Sequence, residues 1–341
     1  MVRAGIVGCG NIGKVHAEIL QSMKQVQIQA FVDADMQSAL KYAKIYGTDH
    51  TSCYDSLSEM LKKEDIEVLH ICTPHHLHVQ MAKEAFEHNV HVFMEKPPAI
   101  SEEEFISLKK AKQEFGKELG ICFQNRYNET TEKASEILKS GILGKVKGAR
   151  AFVTWNRQEE YYGKSSWHGR WSTEGGGVLI NQAIHTLDLL TYFFGKPEQV
   201  EASMQNHHLK QVIEVEDTME AYMTFSFGGV CFYATNAYAE DAPVLLEIVC
   251  ENGKIRMEGD CLEITGDTGV KRAYDFTNEQ RRGDRKYWGN SHRICIQDFY
   301  DSLAEGKDYR NNLESVEHTF DLVMKMYRSC RSKNNAGGEW R

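Results

Sequence analysis

No apolar stretch in this chain approaches the length of a membrane span, so a transmembrane protein is not expected. Basic residues are in deficit. Lys and Arg number 40 against 49 Asp and Glu, and the net charge of −9 argues against nucleic acid as a partner. The nine cysteines include no Cys-x-x-Cys pair, and Cys9, Cys72, Cys122 and Cys250 lie in or beside apolar runs, where a thiol serves as a small hydrophobe. No disulfide framework is expected, and a reducing compartment fits. There is no signal-peptide pattern, internal repeat or low-complexity tract. The expectation is a cytoplasmic protein of 341 residues, long enough for two domains.

What is present begins at once. Arg3 to Val7 is a short apolar run that ends in Gly8-Cys9-Gly10-Asn11-Ile12-Gly13, and Val15, Ile19 and Leu20 follow at helical spacing. A second apolar run, Ile28 to Val32, ends in Asp33, twenty residues past Gly13. Gly-x-Gly-x-x-Gly alone is a weak signal, because glycines gather in any tight turn. Between a strand and a helix, with an acid at this distance, it reads as a dinucleotide site. The glycines let backbone approach a pyrophosphate that the helix N-terminus stabilises, and Asp33 can reach the ribose hydroxyls. A carboxylate there repels a 2′-phosphate and Ala34-Asp35 supplies no Arg to receive one, so NAD is favoured over NADP.

Up to residue 123, apolar runs alternate with helical stretches: Val68 to Cys72, Val90 to Met94 and Leu119 to Phe123 are strands, and Ser101 caps a helix reaching Phe115. That alternation predicts an α/β, doubly wound parallel sheet over residues 1–123, with ligands at the carboxyl ends of the strands. From Val146 the texture changes. Runs at 149–155, 200–204, 221–227, 230–237 and 244–249 follow one another, with shorter ones at 255–257 and 262–265. Gly228-Gly229 and Asn252-Gly253 mark hairpins. Residues 124–331 therefore read as an α+β domain on a mostly antiparallel open sheet, one face under helices, and 332–341 as a frayed tail. The apolar 221–227 run suggests that the other face packs on a second copy, giving a homodimer or homotetramer.

Two further segments carry chemistry. Glu95-Lys96-Pro97-Pro98 leaves a strand on the same edge as the glycine loop. Lys96 there is either a proton donor and acceptor beside a nicotinamide or a surface lysine in a Pro-stiffened loop. Gly175 to Asp188 opens with three glycines and places Asn181, His185 and Asp188 at helical spacing on one face. His185 is an acid/base or a hydrogen-bonded interior histidine. His75-His76-Leu77-His78 is too tightly spaced for one zinc ion and has no Cys or acidic ligand beside it. Trp155, Arg157, Tyr161, Tyr162, Trp167, Arg170 and Trp171 suit a sugar face with an anionic group, or aromatic packing at an interface.

Together these segments resemble the glucose-fructose oxidoreductase/inositol dehydrogenase/MocA (Gfo/Idh/MocA) family. The resemblance runs through the Gly8 loop, Thr73-Pro74 with His78, Glu95-Lys96-Pro97, the glycine-rich helix with His185, and Gly289-Asn290-Ser291-His292 with Asp298-Phe299. It implies a Rossmann domain followed by an α+β domain, and hydride transfer between NAD and a sugar, cyclitol or related alcohol. It implies that Lys96 and His185 are catalytic, and that Thr73, Pro74, His76, His78, Glu95, Lys96 and Gln124 face the cofactor. Asn181 stands where many members carry Asp, and an amide orients a hydroxyl without accepting its proton. The form of this segment, with Arg157, Tyr162, Trp167 and Arg170 upstream, is most similar to members acting on nucleotide-linked or amino sugars. Two rivals are a glycosidase that oxidises its sugar transiently on retained NAD, and a regulator that keeps the fold without chemistry.

Overall fold

The computed structural model describes residues 1–238, 240–277 and 291–335, with side chains described through Ser332. Gly289 and Asn290 of the expected fifth signature, and residues 336–341 of the expected tail, lie outside the described residues. Two compact units emerge: Met1–Phe123 with His292–Val316, and Gln124–Ser291 with Glu317–Arg341.

In the first unit the order is β1 (Val2–Val7), α1 (Asn11–Ser22), β2 (Val26–Val32), α2 (Met36–Tyr46), β3 (Ser52–Tyr54), α3 (Leu57–Lys63), β4 (Val68–Ile71), α4 (His78–Glu87), β5 (His91–Met94), α5 (Glu102–Phe115) and β6 (Leu119–Ile121). Its sheet runs β3-β2-β1-β4-β5-β6, every pair parallel, which is the doubly wound order with its switch between β1 and β4. The expected strands are all there. The three-residue edge strand β3 is an addition, too short and too half-buried to show in the pattern. Ser101 caps α5 by accepting from the Glu104 amide, three acidic residues fill the first turn, and Gly116 ends the helix at φ 60°.

The second unit begins with α6 (Glu129–Ser140), β7 (Val146–Thr154) and α7 (Glu159–Tyr162). A π-helical turn over Leu179–Ala183 then runs into α8 (Ile184–Phe194). Strands β8 (Gln199–Gln205), β9 (Thr218–Phe225), β10 (Gly228–Thr235), β11 (Leu245–Cys250), β12 (Gly253–Glu258), β13 (Cys261–Gly266) and β14 (Lys271–Asp275) follow. The eight-stranded sheet runs β14-β13-β12-β11-β7-β10-β9-β8 and is antiparallel except where β7 meets β10. The hairpins form beside the expected glycines: the turns are Ser226-Phe227 and Glu251-Asn252, and Gly228 and Gly253 open the strands that follow. One face carries Met219, Ala221, Met223 and Phe225, all buried, and Phe225 packs on Phe194 of α8. The other face of β9 shows Thr218, Glu220, Tyr222 and Thr224. The strand alternates, so it is less apolar on its outer side than its composition suggests.

Two helices close the described chain, α9 (Ser291–Glu305) and α10 (Leu313–Asn335). Residues 292–316 group with the first unit, whereas the sequence placed them with 124–331. The reason is packing. Phe299 and Tyr309 meet the Phe93 ring at 5.2 and 6.2 Å, and a Cβ on Gly120 would strike both of them. Burying such rings contributes about 1.5–3 kcal/mol each. The helix α10 extends to Asn335, past the expected start of the tail at 332.

Candidate active-site residues

In the first unit the glycine loop is shaped by contact. Gly8 has φ +96°, and a Cβ on it would lie 2.5 Å from the Cys72 carbonyl oxygen. A Cβ on Gly13 would lie 2.1 Å from the Gly8 oxygen, so that glycine lets α1 pack against the loop. At Gly10 a Cβ would meet nothing within 4 Å. No side chain caps α1, so its positive end faces that open space with the Asn11, Ile12 and Gly13 amides in its first turn. Asp33 follows β2. Its Oδ2 accepts from the Cys9 amide at 2.8 Å and its Oδ1 from the Asp35 amide at 2.9 Å, which fixes the carboxylate against the loop. Tyr42 donates to the Gly10 carbonyl at 2.7 Å. Burial, with Asp33 nearby, pushes the Cys9 thiol up to about 12, so it is a packing group. A pyrophosphate on open backbone and a ribose at Asp33 fit this arrangement.

The ends of β4 and β5 are tied together. His78 is buried, with Nδ1 2.8 Å from the Pro97 carbonyl oxygen and Nε2 2.9 Å from that of Thr73. It staples the Thr73-Pro74 turn to the cis Lys96-Pro97 segment, and neither ring nitrogen is turned to a ligand. His76 and Lys96 are half-buried in the same pair of loops. Glu95, expected at the cofactor, is instead buried inside the unit. Its Oε1 accepts from His16 Nε2 at 3.0 Å, and its Oε2 lies 3.3 Å from the Lys96 amide. Burial pushes the Glu95 carboxyl up, but the His16 bond and the surrounding positive charges outweigh it and hold the group well below the usual carboxylate range.

In the second unit the glycine-rich segment leads into the π turn, a feature common where helices carry function. Asn181 and His185 are half-buried, whereas Asp188 is wholly buried. Asp188 takes two bonds from Arg126, at 2.8 and 2.6 Å, and one from Thr319 at 2.7 Å. It therefore anchors the helix and does not share the more open side of Asn181 and His185. Glu174, buried, accepts from Asn181 Nδ2 at 2.5 Å and from the Gly169 amide. A carboxylate only accepts, so that bond turns the Nδ2 end of the amide to Glu174 and fixes its orientation. Glu216 holds the glycines: the Gly177 and Leu179 amides and the Tyr327 hydroxyl donate to it at 2.9–3.1 Å. Burial pushes its carboxyl up to about 7, against those donors.

The expected sugar cluster divides. Arg157 is bound to Asp241 at 2.8 Å and lies 5.0 Å from the Trp155 ring and 5.4 Å from that of Tyr161. The Tyr162 hydroxyl accepts from Asn236 at 2.9 Å within a buried cluster that includes Gln182. Both side chains make these bonds inside the unit. Trp167 is half-buried against His168, and Arg170 is exposed. Gln124 is buried at the start of this unit. The sequence reading missed His16, His70, Glu174 and Glu216. The first two had a signal, since each is a histidine at an apolar position of its helix or strand. The glutamates had none.

Known proteins agree with this arrangement. Residues 2–123 match the family model described as an oxidoreductase family with an NAD-binding Rossmann fold, and 131–256 match the GFO/IDH/MocA C-terminal domain. D-glucoside 3-dehydrogenase of Escherichia coli (strain K12) is 27% identical over 69% of this chain and 70% of its own. The WlbA dehydrogenase from Bordetella pertussis, solved with NADH and UDP-GlcNAcA, superimposes with TM-score 0.85 at 26% identity over 97% of both chains. Levoglucosan dehydrogenase, solved with NADH and levoglucosan, shares the fold with TM-score 0.87 at 20% identity over 97% of this chain and 98% of its own. With a glycine loop and Asp33 built for an adenine dinucleotide, and both domain models matched in order, the chain belongs to the Gfo/Idh/MocA family of NAD-dependent oxidoreductases.

Proposed function

We propose that this enzyme moves a hydride between NAD and a secondary hydroxyl or carbonyl of a sugar derivative, of the nucleotide-linked or amino-sugar kind. Similarity to the WlbA dehydrogenase along nearly the whole chain supports the substrate class. When bound, the nicotinamide accepts or supplies the hydride. Lys96 and His185 take or give the hydroxyl proton, and Asn181 accepts a hydrogen bond from the substrate hydroxyl. The observation that carries this reading is the Glu174–Asn181 bond, because it orients the amide of a half-buried Asn181 that stands four positions before the half-buried His185. Trp167 and Arg170 are the sugar-facing members of the upstream cluster, with Arg157 and Tyr162 behind them. His76, Thr73 and Pro74 line the cofactor side of the first unit, and Gln124 serves the cofactor from the start of the second.

The test is turnover on a panel of sugar nucleotides, amino sugars and simple glycosides, read as free NADH. Lys96→Met and His185→Asn should each lose about a hundredfold or more in rate with NAD affinity nearly unchanged. Near-normal turnover in both would overturn the assignment. A cytoplasmic homo-oligomer completes the proposal. Nine free cysteines suit a reducing compartment, and the outer sheet face carries the half-exposed Tyr222 and the Phe152–Tyr233 ring pair. Sedimentation as a monomer at micromolar concentration would remove the oligomer.

A further inference from the structure

Behind Lys96 lies a buried polar chain that hydride transfer does not itself require. Tyr300 of α9 lies 2.9 Å from His70 Nε2, in β4. The two Nδ1 atoms of His70 and His16 are 2.9 Å apart, and His16 Nε2 meets Glu95 Oε1 at 3.0 Å. All four side chains are buried. A carboxylate only accepts, so His16 Nε2 carries the hydrogen. With one hydrogen on the His16 ring, its Nδ1 accepts from His70 Nδ1, and His70 Nε2 accepts from the Tyr300 hydroxyl. Every donor points towards Glu95. If His16 gains a proton, the two outer bonds reverse and the His16–Glu95 bond survives.

We propose that His16, backed by His70 and Tyr300, is a positioning residue for the reaction: it keeps Glu95 an anion turned inward beside Lys96, and that anion keeps Lys96 in its ammonium form. The inference rests on the proposed role of Lys96. A buried carboxylate costs several kcal/mol unless compensated, and the chain that starts at Tyr300 ends on this one. The groups facing Glu95 come from every element around it. His16 belongs to α1, His70 to β4, His78 to α4 and His292 to α9. Cys72 follows β4, Cys122 follows β6, and Lys96 is the next residue. Burial keeps His70 neutral, and it pushes His292 down to about 4 and the Cys72 and Cys122 thiols up. Beside the His16 bond, the charge of Lys96, the next residue, is among the influences that hold the Glu95 carboxyl down. His16, Glu95 and Cys122 also cluster closely enough for a metal ion. The carboxylate is already taken by the His16 donor and the thiol is held protonated, so the hydrogen-bond reading accounts for the cluster.

An ammonium at rest makes Lys96 the acid for carbonyl reduction. In alcohol oxidation it must first lose that proton, so the rate climbs with pH through its pKa. Glu95→Gln keeps the shape and removes the charge. The rising limb for oxidation should move to lower pH by about one unit, and the pH at which reduction begins to fall should move down by the same amount. His16→Phe should shift the limb the same way. A merely structural loss would lower both directions at every pH and leave the limb in place. Lys96→Met separates the two readings. If the limb persists in Lys96→Met, the limb is not that lysine's and the site assignment fails. If the limb vanishes there but stays fixed in Glu95→Gln and His16→Phe, the positioning role alone is overturned. Should both of those variants fail to fold, the unaltered holoenzyme labelled with 13C at the lysine ε-carbon decides. The signal missing in Lys96→Met should stay that of an ammonium up to at least pH 8, and titration below that would overturn the proposal.

Discussion

Each unit buries a glutamate, and the two behave in opposite ways. Glu95 in the first unit is held well below the usual carboxylate range, while Glu216 in the second is pushed up to about 7. Both are desolvated, so burial does not separate them. The difference lies in the donors. Glu95 accepts from a histidine that can carry positive charge and has Lys96 as its neighbour, whereas Glu216 accepts only from neutral amides and a phenol. Neutral donors offset desolvation in part, and a cation offsets it in full. The first unit has thereby fixed a charge beside Lys96, the proposed proton carrier. The second has used a carboxyl as a clamp on the Gly175–Val178 turn.

Asp188 is the extreme case and gives the largest expected effect. Arg126→Met should strand a buried carboxylate and cost about 3–5 kcal/mol in urea unfolding, with Thr319 the remaining donor. A loss below about 1 kcal/mol would mean that the Arg126–Asp188 pair does not anchor this helix. Next in size is the pH dependence set by the two glutamates. The Glu216 contribution is fully present below its ordinary value of 4.5 and declines as pH rises to about 7, by up to about 1.4 kcal/mol per pH unit. Glu216→Gln should flatten that decline. The Glu95 contribution runs the other way: present above 4.5, lost as pH falls below it. Identical pH profiles for the unaltered protein and Glu216→Gln would erase the contrast between the units. The smallest effect concerns the loop. Gly10→Ala should leave stability almost unchanged, since its Cβ meets no protein atom, yet weaken NAD binding by about tenfold, or about 1.4 kcal/mol. Gly13→Ala, which collides with the Gly8 carbonyl, should lose both stability and binding. Calorimetric titration with NAD, beside a melting curve, checks the pair.

Much of the first unit was legible because its determinants are local. The strand-turn-helix at Gly8–Gly13, the acid at Asp33 and the Ser101 cap each act within a few residues or at a fixed separation set by one βαβ unit. The sheet of the second unit was legible as well, because side-chain alternation and hairpin glycines repeat along each strand. Position in the chain also marked Lys96, Asn181 and His185. Their surroundings were not legible. Glu174 reaches Asn181 from the preceding loop, and Glu216 closes on the glycines from 39 positions away.

The sequence by itself therefore determined the dinucleotide loop, the parallel order of strands, the antiparallel second sheet and the residues able to carry protons. Spacing and periodicity encode each of these along the chain. Only the tertiary structure decided which carboxylates are charged. It turned Glu95 inward onto His16, 79 positions away, brought His70 to Tyr300 across 230, and placed 292–316 against the first unit. Ionisation of a buried group depends on the donors that surround it in space. Here those donors come from α1, β4 and α9, which no local pattern joins.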